Sequence, residues 1–147
     1  MTREAILAAI PHREPFLLVD EIVSIDDARI TCRKTFQADD WFYQGHYPGE
    51  PVTPGVLLCE AAMQTGAILL SRLIDPAAKA GAVPVATRMN DVRFKRIVRP
   101  GETIEIEVDL VERLATAFFL KAKVSCTGKV AARLEFACTL AEAGESQ

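Results

Sequence analysis

Apolar and polar residues alternate with a period of two over several stretches of this chain and run together without a break in one. Ile30, Cys32, Lys34 and Phe36 alternate with Arg29, Thr31, Arg33 and Thr35, the spacing of a strand with one covered face. The residues before them, Phe16 to Ile25, also read as a strand, and Asp26-Asp27 supplies a turn between the two. The pair predicts a hairpin. Four later stretches have the same character: Val83 to Phe94, Thr103 to Glu112, Phe118 to Cys126 and Val130 to Leu140, with turn signals at Pro100-Gly101 and Thr127-Gly128. Pro54 to Leu73 differs, because Val56, Leu57, Leu58, Cys59, Ala61, Ala62, Met63, Ala67, Ile68, Leu69 and Leu70 leave no polar face. This pattern predicts a helix buried on all sides.

The rest is connection. Thr2 caps a short helix that stops before Pro11 and reads as a surface flap. Ala38 to Thr53, rich in aromatics, Gly and Pro, is a loop longer than most in a compact domain, and such loops tend to carry function. Asp75 to Gly81 is a second loop, and Ala141 to Gln147 reads as a frayed tail. One apolar helix against five or six long strands predicts α+β architecture, an antiparallel sheet wrapped around a central helix.

Size and charge narrow the picture further. With 147 residues, half of them hydrophobic, the chain has material for one core, a single domain over 1–147. A formal net charge of −3 argues against general nucleic-acid binding, so any basic surface must be local. Cys32, Cys59, Cys126 and Cys138 form no C-x-x-C pair and lie within apolar runs, which favours buried thiols over disulfides or a metal site. The N-terminus lacks the profile of a secretory signal, and no uninterrupted apolar run has membrane-spanning length. A soluble cytoplasmic protein is expected.

Few residues are suited to chemistry. The chain has two histidines, and His46 sits in the long loop, in Phe42-Tyr43-Gln44-Gly45-His46-Tyr47-Pro48. His12, in Pro11-His12-Arg13, has no comparable setting. Glu60 interrupts the most apolar helix, and a carboxyl there needs a partner or a function. Gln64 follows one turn later on the same face and can bond it. At the helix entry Thr53 is the expected N-cap and Pro54 the first helical residue, leaving Gly55 to expose a backbone N–H where an oxyanion could be held. A loop base, a helix carboxyl and a bare amide are the parts needed to abstract a proton beside a polarised carbonyl. Each alone also has an ordinary structural explanation.

The chain resembles the 3-hydroxyacyl-ACP dehydratases of type II fatty-acid synthesis, the single-hotdog kind with a Glu as acidic residue. The resemblance rests on Ile10-Pro11-His12-Arg13-Glu14-Pro15-Phe16-Leu17-Leu18-Val19-Asp20, on Gly45-His46-Tyr47-Pro48 with Pro51-Val52-Thr53-Pro54-Gly55-Val56-Leu57 and Glu60-Ala61-Ala62-Met63-Gln64, and on Arg93-Phe94-Lys95-Arg96 with Pro100-Gly101 and Gly128-Lys129-Val130-Ala131. It covers residues 10 to 140. It implies a hotdog fold and dehydration of a (3R)-3-hydroxyacyl thioester on acyl carrier protein to the trans-2-enoyl product. His46 would take the C2 proton, Glu60 would handle the departing hydroxyl, and Gly55 would bind the thioester carbonyl. Val56, Gln64 and Phe42 would complete the substrate site. No metal or organic cofactor is implied. The family's dimers combine the His of one subunit with the Glu of the other, so a dimer or trimer of dimers is expected here.

Two departures stand out. Glu-Ala-Ala-Met-Gln replaces the commoner Glu-Ala-Met-Ala-Gln, keeping Glu60 and Gln64 in register, and Arg88 and Met89 fall where the acyl tunnel should run. Carrier protein is acidic, and the densest basic cluster, Arg88, Arg93, Lys95, Arg96 and Arg99, is its expected dock. A hotdog thioesterase and a non-catalytic acyl-thioester binder are the alternatives. His46 favours dehydration over both.

Overall fold

The computed structural model describes residues 2–76 and 82–142. Its elements run α1 (Arg3–Ala9), β1 (Glu21–Ile25), β2 (Arg29–Thr35), a 3₁₀ turn (Trp41–Gly45), α2 (Gly55–Leu73), β3 (Ala82–Phe94), β4 (Thr103–Leu114), β5 (Ala117–Cys126) and β6 (Lys129–Glu142). All strands join one antiparallel sheet in the order β1-β2-β4-β5-β6-β3.

Alternation determines which face of the sheet turns inward. Ile30, Cys32, Lys34 and Phe36 are buried, as are Ile104, Ile106 and Val108 on β4 and Phe118, Leu120, Ala122, Val124 and Cys126 on β5. The register aligns these sets: Cys32 lies opposite Ile106, Ile106 opposite Val124, and Leu120 opposite Phe136. Buried neighbours therefore form one continuous inner face. The outer face carries charge, with Arg29 on Asp109 at 2.6 Å and Lys123 on Glu107 at 3.9 Å crossing strands.

The central helix α2 lies against that inner face. Its 19 residues have the length and mean hydropathy of a membrane span, yet 61% of the span is buried within the protein. Gly66 permits a close approach, since a Cβ there would stand 2.7 Å from Cζ of Phe136. The helix is not buried on all sides, however: Val56 is exposed, while Leu57, Glu60 and Met63 are half-buried. This partly open stripe contains the acidic residue.

Several expectations need correction. The N-terminal helix is no loose flap, because Ile6 is fully buried in the core. Thr2 precedes it but makes no side-chain cap bond. The first strand begins at Glu21, not Phe16: Leu17, Leu18 and Val19 are buried without being strand, the Leu17 N–H bonding the Arg13 carbonyl at 3.0 Å and the Leu18 N–H the Gln64 side chain of α2 at 2.7 Å. The long loop contains the 3₁₀ turn, which buries Phe42 and Tyr43. Thr53 caps nothing; Pro54 is the N-cap, and the Thr53 hydroxyl bonds the Tyr43 hydroxyl at 2.6 Å. Most of the expected 75–81 loop and of the tail lies outside the described residues, although Ala141 and Glu142 belong to β6.

The turn expectations fared better. Thr127 and Gly128 both have positive φ, the mirror-image turn that suits a tight hairpin, and Gly101 has φ +88°. All four cysteines are buried free thiols; burial pushes Cys32 up to about 12 and Cys126 and Cys138 up to about 11.

Candidate active site

The acidic residue comes from the middle of α2. The Glu60 side chain is 22% exposed, so it borders the open stripe without being free in solvent. Gln64, one turn on and 1% exposed, donates from Nε2 to Glu60 Oε2 at 3.0 Å, the partnership its spacing predicted. Gln64 does more than that. Its Oε1 accepts from the Leu18 N–H at 2.7 Å, and its Nε2 also donates to the Phe16 carbonyl at 2.8 Å. One amide thus stitches the 16–18 segment to the helix and holds one oxygen of the carboxyl. Oε1 of Glu60 has no bond to protein among the described residues.

The loop imidazole, His46, comes from the end of the 3₁₀ turn. Tyr43, anchored by the Thr53 hydroxyl, and Phe42, in an aromatic cluster with Trp41 and Phe36, hold the turn in the core. His46 follows at its C-cap, half-buried, with Tyr47 edge-on at 4.8 Å. Tyr47 has φ +54°, a region a Tyr enters only when its surroundings compel it. His46 Nδ1 lies 2.9 Å from the Val52 carbonyl. A carbonyl can only accept, so Nδ1 carries the hydrogen and Nε2 of the neutral ring keeps its lone pair. This is the tautomer a general base requires.

Within one chain, no ion pair or hydrogen bond joins His46 to Glu60. The imidazole that does approach Glu60 is His12, whose Nε2 stands 3.8 Å from Oε2. The sequence alone assigns His12 no role, since the 47 residues between the two hide the contact. Burial pushes the His12 imidazole below its usual value, Glu60 pulling it up and Arg13 pushing it down more weakly.

At the helix entry the Gly55 N–H donates to no backbone acceptor among the described residues. Gly55 has a packing reason as well, because an added Cβ would lie 2.7 Å from the Phe94 ring. Val56, one turn before Glu60, is 68% exposed.

All five residues of the basic cluster are exposed. Arg93 pairs with Asp91 at 3.0 Å and Arg99 with Glu50 at 3.9 Å, whereas Arg88, Lys95 and Arg96 meet no carboxylate among the described residues. Two surface hollows share Ile97 and Arg99. One, of about 600 Å³, adds Phe94, Lys95 and Arg96; the other, of about 390 Å³, adds Tyr47, Glu50 and Val52, the neighbours of His46. The basic surface therefore adjoins both the His46 loop and the Phe94 ring on Gly55.

Comparison with known proteins identifies the family and the fold. The FabA-like domain model matches residues 10–135. The 3-hydroxyacyl-[acyl-carrier-protein] dehydratase FabZ of Caulobacter vibrioides is 40% identical over 140 residues, covering 95% of this chain and 87% of the relative. Among solved structures, a chain of the dehydratase heterocomplex ApeI:P of Xenorhabdus doucetiae superposes with TM-score 0.76 at 17% identity, covering 93% and 91% of the two chains. A mutant thioesterase from Pseudomonas aeruginosa superposes at 0.73 with 15% identity, covering 95% and 93%. Those two likenesses give the hotdog fold; the family match and the FabZ relative go further, and place this chain in the FabA-like domain family.

Proposed function

We propose that this chain removes water from (3R)-3-hydroxyacyl thioesters carried on acyl carrier protein, giving the trans-2-enoyl product for fatty-acid or related acyl-chain synthesis. It is a hydro-lyase of the kind its FabZ relative is named for. The observation that carries the reading is the bond from His46 Nδ1–H to the Val52 carbonyl, which keeps Nε2 available as a base. A thioesterase of the same fold has no need of that tautomer.

The steps follow from elementary chemistry. The C2 hydrogen is a weak acid and hydroxide a poor leaving group, so a base must act at C2 and a proton donor at the C3 oxygen, while the thioester oxygen takes up negative charge. His46 Nε2 takes the C2 proton. The Gly55 N–H meets the thioester oxygen, and Glu60, through Oε1, the oxygen left unbonded by protein, gives a proton to the departing C3 hydroxyl, which leaves as water. Phe42 acts through the loop it anchors, Gln64 through Glu60, and the exposed Val56 lines the acyl path. No cofactor is required by this scheme.

Assembly completes the site. The chain works as a symmetric dimer, alone or in threes, in which His46 of one protomer meets Glu60 of the other. The lack of contact between the two within one chain supports this, as does β3, a 13-residue edge strand whose residues from Ala86 to Phe94 are all exposed. A long uncovered edge with Met89, Val92 and Phe94 on its surface invites a twofold partner. The acidic carrier docks on Lys95, Arg96 and Arg99, with Arg88 and Arg93 along the same strand edge, in the cytoplasm.

The test is direct. Purified protein given 3-hydroxyacyl carrier protein should produce enoyl absorbance without free thiol, and His46→Ala or Glu60→Gln should each reduce turnover by at least about a hundredfold. Thiol release would favour a thioesterase, and binding without product a non-catalytic role.

A further inference from the structure

The opening segment of the chain brings a second imidazole to the acidic residue. His12 Nε2 lies 3.8 Å from Glu60 Oε2, the same oxygen that Gln64 Nε2 holds at 3.0 Å. Its other nitrogen, Nδ1, is sealed from solvent and meets no hydrogen-bond partner among the described residues. A dry N–H without an acceptor is much rarer in proteins than a dry lone pair. The hydrogen therefore belongs on Nε2, facing the Glu60 carboxyl group, and a doubly protonated ring would strand an N–H at Nδ1.

The backbone around His12 is pinned in turn. Arg13 donates to the carbonyls of His12 and Ile10 at 2.8 Å and of Leu7 at 2.9 Å, tying the segment to the end of α1. The Phe16 ring stacks on the imidazole at 6.5 Å and 22°, while the Phe16 carbonyl is bound by Gln64. Glu60 from α2 and Arg13 from its own segment are the charged groups acting on His12. So elaborate a hold on a ring with one unsatisfied nitrogen needs a purpose.

We propose that His12 is a positioning residue for Glu60: its Nε2–H, with Gln64, fastens Oε2 from a second direction, so that the carboxyl presents Oε1 to the substrate hydroxyl. A carboxyl group whose Oε2 is held by one donor can swing about that bond; held by two, it cannot. The 3.8 Å separation closes to a hydrogen bond with a small ring rotation, as catalytic hydrogen bonds tighten when substrate arrives. His12 touches no reacting atom in this scheme. The inference rests on the dehydratase reading of Glu60.

The experiment compares three variants in steady-state dehydration of a 3-hydroxyacyl thioester. His12→Phe keeps the ring and its stack on Phe16 but removes the donor; His12→Gln places an amide N–H near the position of Nε2; Glu60→Gln is the control. His12→Phe should lower kcat roughly tenfold to a hundredfold with KM within about twofold, the signature of a misplaced group whose interaction matters in the transition state. His12→Gln should recover most of the loss. If His12→Phe does not fold, His12→Leu, which fills less of the space, replaces it in the comparison. Wild-type kcat in the donor-less variant, or equal losses in the Gln and donor-less variants, would overturn the proposal. Activity surviving Glu60→Gln would instead sink the dehydratase reading itself.

Discussion

Replacing Gln64 with Met should expose how much of the N-terminal half depends on one amide. Met matches the volume of Gln, so no cavity confuses the result, but all three hydrogen bonds go: from Leu18 N–H, to the Phe16 carbonyl and to Glu60 Oε2. Leu18 is 3% exposed, so its stranded N–H meets no water and carries the full penalty of about 1–3 kcal/mol. The Phe16 carbonyl and Glu60 are only partly buried and recover some hydration, adding about 1 kcal/mol between them. A total near 2–4 kcal/mol corresponds to a fall in Tm of roughly 4–16 °C for a domain of this length. Thermal unfolding followed by circular dichroism, at one fixed protein concentration because an oligomer's Tm depends on it, measures the change. Activity should fall too, since Glu60 loses its anchor. A Tm within about 2 °C of wild type would refute the claim that this amide takes the place of a strand partner for residues 16–18.

Three further outcomes follow from the same structure. Gly66→Ala pushes a Cβ to 2.7 Å from the buried Phe136 ring and should destabilise by about 1–3 kcal/mol in a denaturant titration. His12 is held below its usual value in the folded state, so its stabilising contribution is complete above about pH 6.5 and is lost as the pH falls below that, where the unfolded chain takes up the proton first; Tm should therefore drop less between about pH 7 and pH 5 in His12→Phe than in wild type. Arg96→Glu should raise KM for a carrier-bound substrate several-fold while leaving a small thioester analogue unaffected, with an effect that shrinks as salt is added.

What the sequence reveals here is what a local period can carry. The alternation through Ile30, Cys32, Lys34 and Phe36 assigned β2 and its buried face correctly, and the later strands came out within a few residues of their ends. The i, i+4 spacing of Glu60 and Gln64 led to a real hydrogen bond. Misreadings arose where a distant group overrode the local signal. Phe16 to Asp20 has strand composition, but Gln64, more than forty residues away, takes the Leu18 N–H and the Phe16 carbonyl, and the Arg13 carbonyl takes the Phe16 and Leu17 N–H groups. Thr53 looks like an N-cap, yet Tyr43 claims its hydroxyl.

The same reasoning applies to the proposed site residues. His46 and Glu60 stand out in the sequence because each is out of place in its surroundings, an imidazole beside glycine in a long loop and a carboxyl in an apolar helix. His12 had no such mark, being one polar residue among several in Pro11-His12-Arg13-Glu14, and only the folded chain brings it to Glu60. The hairpin between β4 and β5 escaped for another reason: it turns at Ala115, with φ +55°, where no Gly, Asn or Pro gives notice.

The proposed site is divided between two copies of the chain. His46→Ala and Glu60→Ala, each inactive alone, can be unfolded together in equal amounts and refolded so that subunits exchange. Random pairing makes half the dimers mixed, and each mixed dimer has one site with both residues missing and one with both present. Enoyl formation should then return to roughly a quarter of the wild-type rate. No recovery, after mass spectrometry has verified the exchange, would contradict the shared site.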